Sequence, residues 1–229
     1  MKRILVGLLL VLPLMVFAQE ARDPQNVLTA TGAAQVLAAP DEAVVRLGVQ
    51  QEASNAQSAQ SQANAIMQKV ISMTVALKVK KESIQTSQMS LDPVFSSKPG
   101  EAPRITGYIA RDVISVRLTD FDLIGKVIDA GTAAGVNSIQ GIDFRLRNSR
   151  DARAQAYKQA VADARSKADA IADALGVKIT GIYDVRADSD SSPQPRMMGA
   201  MRMEAAASTP VEPGQLEIGV TVTIRYRIG

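Results

Sequence analysis

Residues 216–228 alternate without a break: Leu216, Ile218, Val220, Val222, Ile224, Tyr226 and Ile228 on one side, Glu217, Gly219, Thr221, Thr223, Arg225 and Arg227 on the other. A period of two over this length specifies a strand with one wet face, so its sheet needs a cover on the other. Residues 149–175 carry the longest helical pattern in the chain. Tyr157, Val161, Ala164, Ala168, Ile171 and Leu175 form a stripe spaced by three and four, and Gly176 ends it. At 1.5 Å per residue the helix is roughly 40 Å long, more than a small sheet covers. Part of it is therefore expected to meet another subunit. Ten alanines fall between Ala152 and Ala174. They allow close approach of a neighbouring backbone, and they also raise intrinsic helicity.

The remaining pattern is α+β. Residues 27–39 and 41–51 read as strands joined at Pro40-Asp41, where a turn is favoured. In the second, Ala43, Val45, Leu47 and Val49 alternate with Val44, Arg46, Gly48 and Gln50, the signature of a half-exposed strand. Ser54 offers a cap to a helix whose stripe is Ala59, Ala63, Ile66, Val70, Met73 and Leu77. Residues 84–94 are extended, 96–103 form a Pro/Gly loop, and 107–118 are again a strand. Thr119 or Asp120 caps a short helix with Leu123, Ile124, Val127 and Ile128 inward and Gly135 as its stop. Residues 139–146 return as a strand with Ile142, Phe144 and Leu146 on one side, and 177–185 as another. Strand, helix, strand thus occurs twice, at 41–92 and 107–146, an architectural repeat without residue-level identity. Residues 187–214 are rich in Asp, Ser, Pro and Ala and show no period, which predicts a flexible insertion or flap.

The N-terminus reads as a leader. Lys2 and Arg3 precede an apolar run from Ile4 to Phe17, and Val16-Phe17-Ala18 has the small residues of a signal-peptidase site, so cleavage is expected after Ala18. Fourteen residues interrupted by Pro13 fall short of the roughly 20 needed to span a bilayer, and no cysteine follows to accept lipid. The expected organisation is a signal peptide at 1–18, a frayed stretch at 19–26 and an α+β domain at 27–229. That domain has room for two subdomains. The mature chain is expected to be periplasmic or otherwise exported, with no transmembrane anchor.

The formal charge of +3 is mostly the leader's. Without residues 1–18 the chain holds 24 Lys and Arg against 23 Asp and Glu, net +1, with no Trp and seven Tyr or Phe. Neither a phosphate-neutralising surface nor a base-stacking platform follows, so nucleic acid is not an expected partner. The absence of both Cys and His removes thiol nucleophiles, Cys/His zinc sites, Ser-His-Asp triads and imidazole acid-base chemistry.

Few residues remain as candidates. Asp163, Asp169 and Asp173 lie among Lys158, Arg165 and Lys167, an arrangement typical of a solvated helix face with local pairing. No glycine pattern of a phosphate cradle follows a strand. Met197, Met198, Met201 and Met203 cluster inside the 187–214 insertion. Thioethers suit Cu(I) and absorb oxidants reversibly, and flexible methionines also seal a loop against an apolar surface. Arg196 and Arg202 oppose a cation there. No catalytic residue and no cofactor are expected.

Thr31-Gly32 followed by Ala39-Pro40-Asp41, Gly107-Tyr108 opening a strand, Ala134-Gly135-Val136-Asn137 with Ile142-Asp143-Phe144, and above all the run from Ala160 to Ala168 followed by Leu175-Gly176-Val177, resemble the SIMPL-domain family in order and spacing. Its bacterial members include periplasmic immunogenic antigens and a protein linked to oxidative-stress defence. The resemblance covers residues 27–228 and implies repeated strand-helix-strand units, with a long Ala-rich helix packed on a mixed or antiparallel sheet. It also implies a homo-oligomer, ring or channel-like, without established enzymatic activity. The expected function is structural or protective in the envelope under oxidative stress, with unspecified envelope partners. The alternatives are a Cu(I)- or oxidant-responsive binding protein using the methionines, and a hydrolase working without His or Cys.

Overall fold

The computed structural model describes residues 26–96, 102–188, 194–196, 209 and 211–229. In chain order these form β1 (Val27–Ala38), β2 (Glu42–Ala53), α1 (Ala56–Ala76), β3 (Ile84–Phe95), β4 (Ile105–Leu118), α2 (Asp122–Ala134), β5 (Ser138–Arg145), α3 (Arg150–Leu175), β6 (Ile179–Asp188), β7 (Gln194–Arg196) and β8 (Gln215–Ile228). The fold is α+β, with two antiparallel sheets. One runs β3-β4-β2-β5 and the other β1-β8-β6, with β7 pairing β8 beyond the end of β6. The leader, most of the loop at 96–103 and most of the insertion at 187–214 lie outside the described residues.

The strands flanking Pro40-Asp41 do not pair with each other, because the turn hands the chain from one sheet to the other. Pro40 has no N–H to continue a ladder. Asp41 instead fastens the start of β2 to the end of β5: its N–H donates to the Arg145 carbonyl at 3.0 Å, and its carboxylate accepts from the Arg147 N–H at 2.7 Å. β2 lies between β4 and β5, and Val44 and Gly48 on its second face are buried too. It is a central strand rather than the half-exposed one its alternation predicts.

Helices α1 and α2 cover the first sheet and enclose a core that includes Val45, Leu47, Ile114, Val116, Val70, Ile124 and Val127. The cap of α1 is Asn55, not Ser54; its Oδ1 accepts the Ser58 N–H at 2.8 Å. The buried row on α1 is Ala59, Ala63, Met67, Val70 and Thr74. Relative to the expected stripe it swings by one residue, leaving Met73 exposed and Ile66 and Leu77 at the margin. Two alanines set the close approach, and the row continues at steps of four and three from them. Thr74 is accommodated because its hydroxyl donates to the Val70 carbonyl at 2.8 Å. The N-cap of α2 is Phe121, not Thr119 or Asp120, and no side chain caps it; Asp120, one residue earlier, accepts the Asp122 N–H at 3.0 Å, and Gly135 closes the helix at φ 114°, a left-handed conformation that favours glycine.

The fully buried row of helix α3 on the second sheet is alanine alone, with Tyr157 packing at its margin. Ala156, Ala160, Ala164, Ala168 and Ala172 are buried, whereas Val161, Ile171 and Leu175 of the expected stripe are exposed, Leu175 by 63%. The reason is on β1. A Cβ built on Gly32 would lie 2.0 Å from the Ala160 carbonyl oxygen and 2.4 Å from the Ala164 nitrogen. Helix backbone and strand backbone are in direct contact, and only methyl groups fit along such a seam. The core here is the alanine row with Leu28, Ala30, Val36, Val220, Val222, Ile224 and Tyr226. A short segment before β8 links the two layers: Thr209 donates its hydroxyl to Asp129 of α2 at 2.8 Å, and Val211 packs on the first core.

Candidate assembly surfaces and a buried-acid cleft

An edge strand exposes unpaired N–H and C=O groups. On β1 two of them, in the middle of the strand, are taken up by α3. The Asp163 carboxylate accepts the Ala33 N–H at 3.0 Å, the Lys167 ammonium donates to the Thr31 carbonyl at 3.1 Å, and the two side chains pair at 2.7 Å. The Lys167 hydrogen bond first, and the Ala33 amide second, hold the Asp163 carboxyl below its ordinary value. The spacing of four that marks a solvated helix pair thus also serves as a clasp across the β1 edge. Asp169 pairs with Arg165 at 2.9 Å, raising the guanidinium pKa, and Arg165 also lies over the Tyr226 ring at 5.5 Å from its centroid. Burial pushes the Tyr226 phenol up.

The opposite edge differs. β6 pairs only with β8 among the described residues. Ile182 and Val185 stand opposite Tyr226 and Ile224, on the face that α3 covers. The helix packs over β1 and β8 and stops short of β6, so Ile182 is 58% and Val185 50% exposed. On the same module Val161, Ile171 and Leu175 are exposed along α3. Tyr183, at a bulge, has Arg225 at 5.1 Å and Arg227 at 5.9 Å over its ring.

The first sheet carries a cleft of about 180 Å³ between α1 and the β3–β4 pair, lined by Asn64, Met67, Gln68, Ile71, Thr86, Met89, Asp112 and Ile114. Its floor holds a buried acid. Asp112 is 2% exposed, and its carboxylate accepts from the Gln60 amide at 3.4 and 3.2 Å; that amide also reaches Asn64 at 3.1 Å. None of the carboxylates weighed from the sequence lies here. The signal was available nonetheless: Ala110, Asp112, Ile114, Val116 and Leu118 share one face of β4, and an acid in that apolar row breaks its pattern.

Met197, Met198, Met201 and Met203 lie outside the described residues. Among those described, no three acidic, His or Cys side chains converge as metal ligands, and no helix is long and apolar enough to cross a membrane.

Two antiparallel sheets, each roofed on one face by helices and the second closed by the first and last strands of the chain, define an α+β protein of duplicated layer architecture. The chain belongs to the family described as SIMPL: Protein of unknown function (DUF541), which it matches over residues 28–226. It is 30% identical to the 26 kDa periplasmic immunogenic protein of Brucella melitensis over 226 residues, covering 93% of this chain and 89% of that one. It is 25% identical to the uncharacterized protein YggE of Escherichia coli K12 over 214 residues, 92% of this chain and 86% of that one. Relatives named as periplasmic proteins support an extracytoplasmic location.

Proposed function

We propose that this chain, cleaved after Ala18, is a periplasmic envelope protein whose main biochemical property is self-assembly, and that it protects the envelope under oxidative stress without acting as an enzyme. The observation that carries the assembly reading is the asymmetry of the second sheet. One edge is clasped by Asp163 and Lys167, whereas the other, the outer edge of β6, has no strand partner among the described residues, and Ile182 and Val185 are exposed beside it. With the Thr31 carbonyl and the Ala33 amide occupied, extension of the sheet from β6 to β1 of a neighbouring copy is disfavoured. β6 against β6 about a twofold axis is the pairing left open, and the exposed Val161, Ile171 and Leu175 supply a second contact that takes the assembly past a dimer. Rings and channel-like oligomers are closed forms built from two such contacts.

Light scattering of the mature protein at micromolar concentration tests this. The expected mass is several times that of the monomer, and a monodisperse monomer across salt and pH overturns it. N-terminal sequencing from fractionated cells should begin at Gln19; a membrane-bound species retaining Met1 refutes the export reading. For the protective role, a deletion strain should lose peroxide survival and regain it with the wild-type chain, not with an assembly-deficient one.

A further inference from the structure

The cleft over β4 combines a buried carboxylate with apolar walls, and the clasp and edges described above make no use of it. Burying an acid is costly unless the charge is matched or its lone pairs are filled. Asp112 has one neutral donor, the Gln60 amide, and no ion pair among the described residues. A carboxylate offers about four acceptor positions. The remaining ones belong to a group on the floor of a cleft whose walls are the side chains of Met67, Ile71, Ile114 and Met89, with Asn64, Gln68 and Thr86 as polar members.

That chemistry selects its occupant. A volume of about 180 Å³ lies below the roughly 300–1,000 Å³ of sites for drug-sized ligands, which leaves a small molecule or a single side chain. A negative floor repels phosphates and carboxylates. Hard divalent cations take several oxygen ligands, and the cleft has one carboxylate. Cu(I) seeks thioethers, and a carboxylate beneath them is a mismatched partner. A primary ammonium fits each element: three N–H donors for the Asp112 carboxylate and the amide oxygens around it, and a methylene stem for the Met and Ile walls. We infer that the α1–β4 cleft is a binding site for a primary alkylammonium group, carried by a small free amine or by a lysine of a second copy of this chain.

The full mature chain, labelled with 13C at its methionine methyl groups, is titrated with n-butylammonium. Met67 and Met89 signals should shift together and saturate, while Met73, on α1 but outside the cleft, stays in place. 1-Butanol, of matching length and uncharged, should produce no saturable shift. Asp112→Asn should lower the amine affinity by at least about tenfold, the loss expected when a charge-assisted hydrogen bond is removed. Equal saturation by butanol and butylammonium overturns the inference, as does the absence of any saturable shift. The butanol comparison uses wild-type protein and stands even where Asp112→Asn fails to fold. Light scattering with saturating amine then assigns the source: a fall in assembly mass points to a lysine of a second copy, an unchanged mass to a free amine.

Discussion

Replacing Gly32 by alanine adds one methyl group where there is no room for it. Its Cβ would meet the Ala160 oxygen at 2.0 Å and the Ala164 nitrogen at 2.4 Å, and both are backbone atoms that no rotamer change can move. Restoring ordinary contact at 3.4 Å requires α3 and β1 to part by about 1.4 Å at this point. The alanine row then loses contact with Leu28, Ala30 and Val222, and methyl groups cannot reach across the gap. Overpacking typically costs about 1–3 kcal/mol, and a clash with backbone belongs at the top of that range. At roughly 2–4 °C per kcal/mol for a chain of this size, Tm should fall by about 6–12 °C. Gly181→Ala is the control, since a Cβ there meets nothing within 4 Å. Circular dichroism melts of the two variants at one protein concentration decide the matter. If Gly32→Ala melts with wild type, the seam is looser than its distances imply and the explanation of the all-alanine face fails.

Asp163→Asn should weaken the clasp at neutral pH, and its pH dependence has a definite sign. The folded carboxyl is depressed, so its contribution is complete above the unfolded value of 3.8 and disappears as pH falls through the lower folded value; urea midpoints of the two proteins should differ at pH 7 and converge in strong acid. Graded peroxide followed by mass spectrometry should modify exposed Met73 and Met89 well before Met67, which is 8% exposed; equal rates contradict the packing of α1. Val161→Asp together with Ile171→Asp should leave the melt within about 1 kcal/mol of wild type, because neither side chain is buried, while lowering the assembly mass. Unchanged mass rejects the outer face of α3 as a contact.

Local chemistry made most elements legible. The alternation at 216–228 lies within β8, and Gly135 and Gly176 end their helices in left-handed conformations. Which row of a helix faces inward is less legible. On α3 the expected stripe shares Ala164 and Ala168 with the buried row, but it follows Val161, Ile171 and Leu175 at its ends, where hydrophobicity points, and the chain buries Ala156, Ala160 and Ala172 instead. The selection is made by a glycine on β1, remote in sequence, which draws the backbones so close that only methyl groups fit. On α1 the buried row slid by one residue for a related reason, the two alanines at its start. Neighbouring strands on either side of Pro40 parted into different sheets because pairing is a long-range choice that no turn residue records. Asp112 belongs to no cluster of acids in the sequence, and only its place in an apolar row marks it.

The pairing of β1 with β8 joins Val27 to Arg227, so the second sheet must wait for almost the whole chain. A chain that emerges N-terminus first separates those partners by 200 residues, Val27 to Arg227. The segment between them, from β2 to β5, contains every strand of the first sheet and can complete it meanwhile. β1 spends that interval as an orphan, and α3 emerges well before β8. A helix carrying its own hydrogen-bond clasp can therefore chaperone the first strand in cis, holding its open side until the last strand arrives to claim the other.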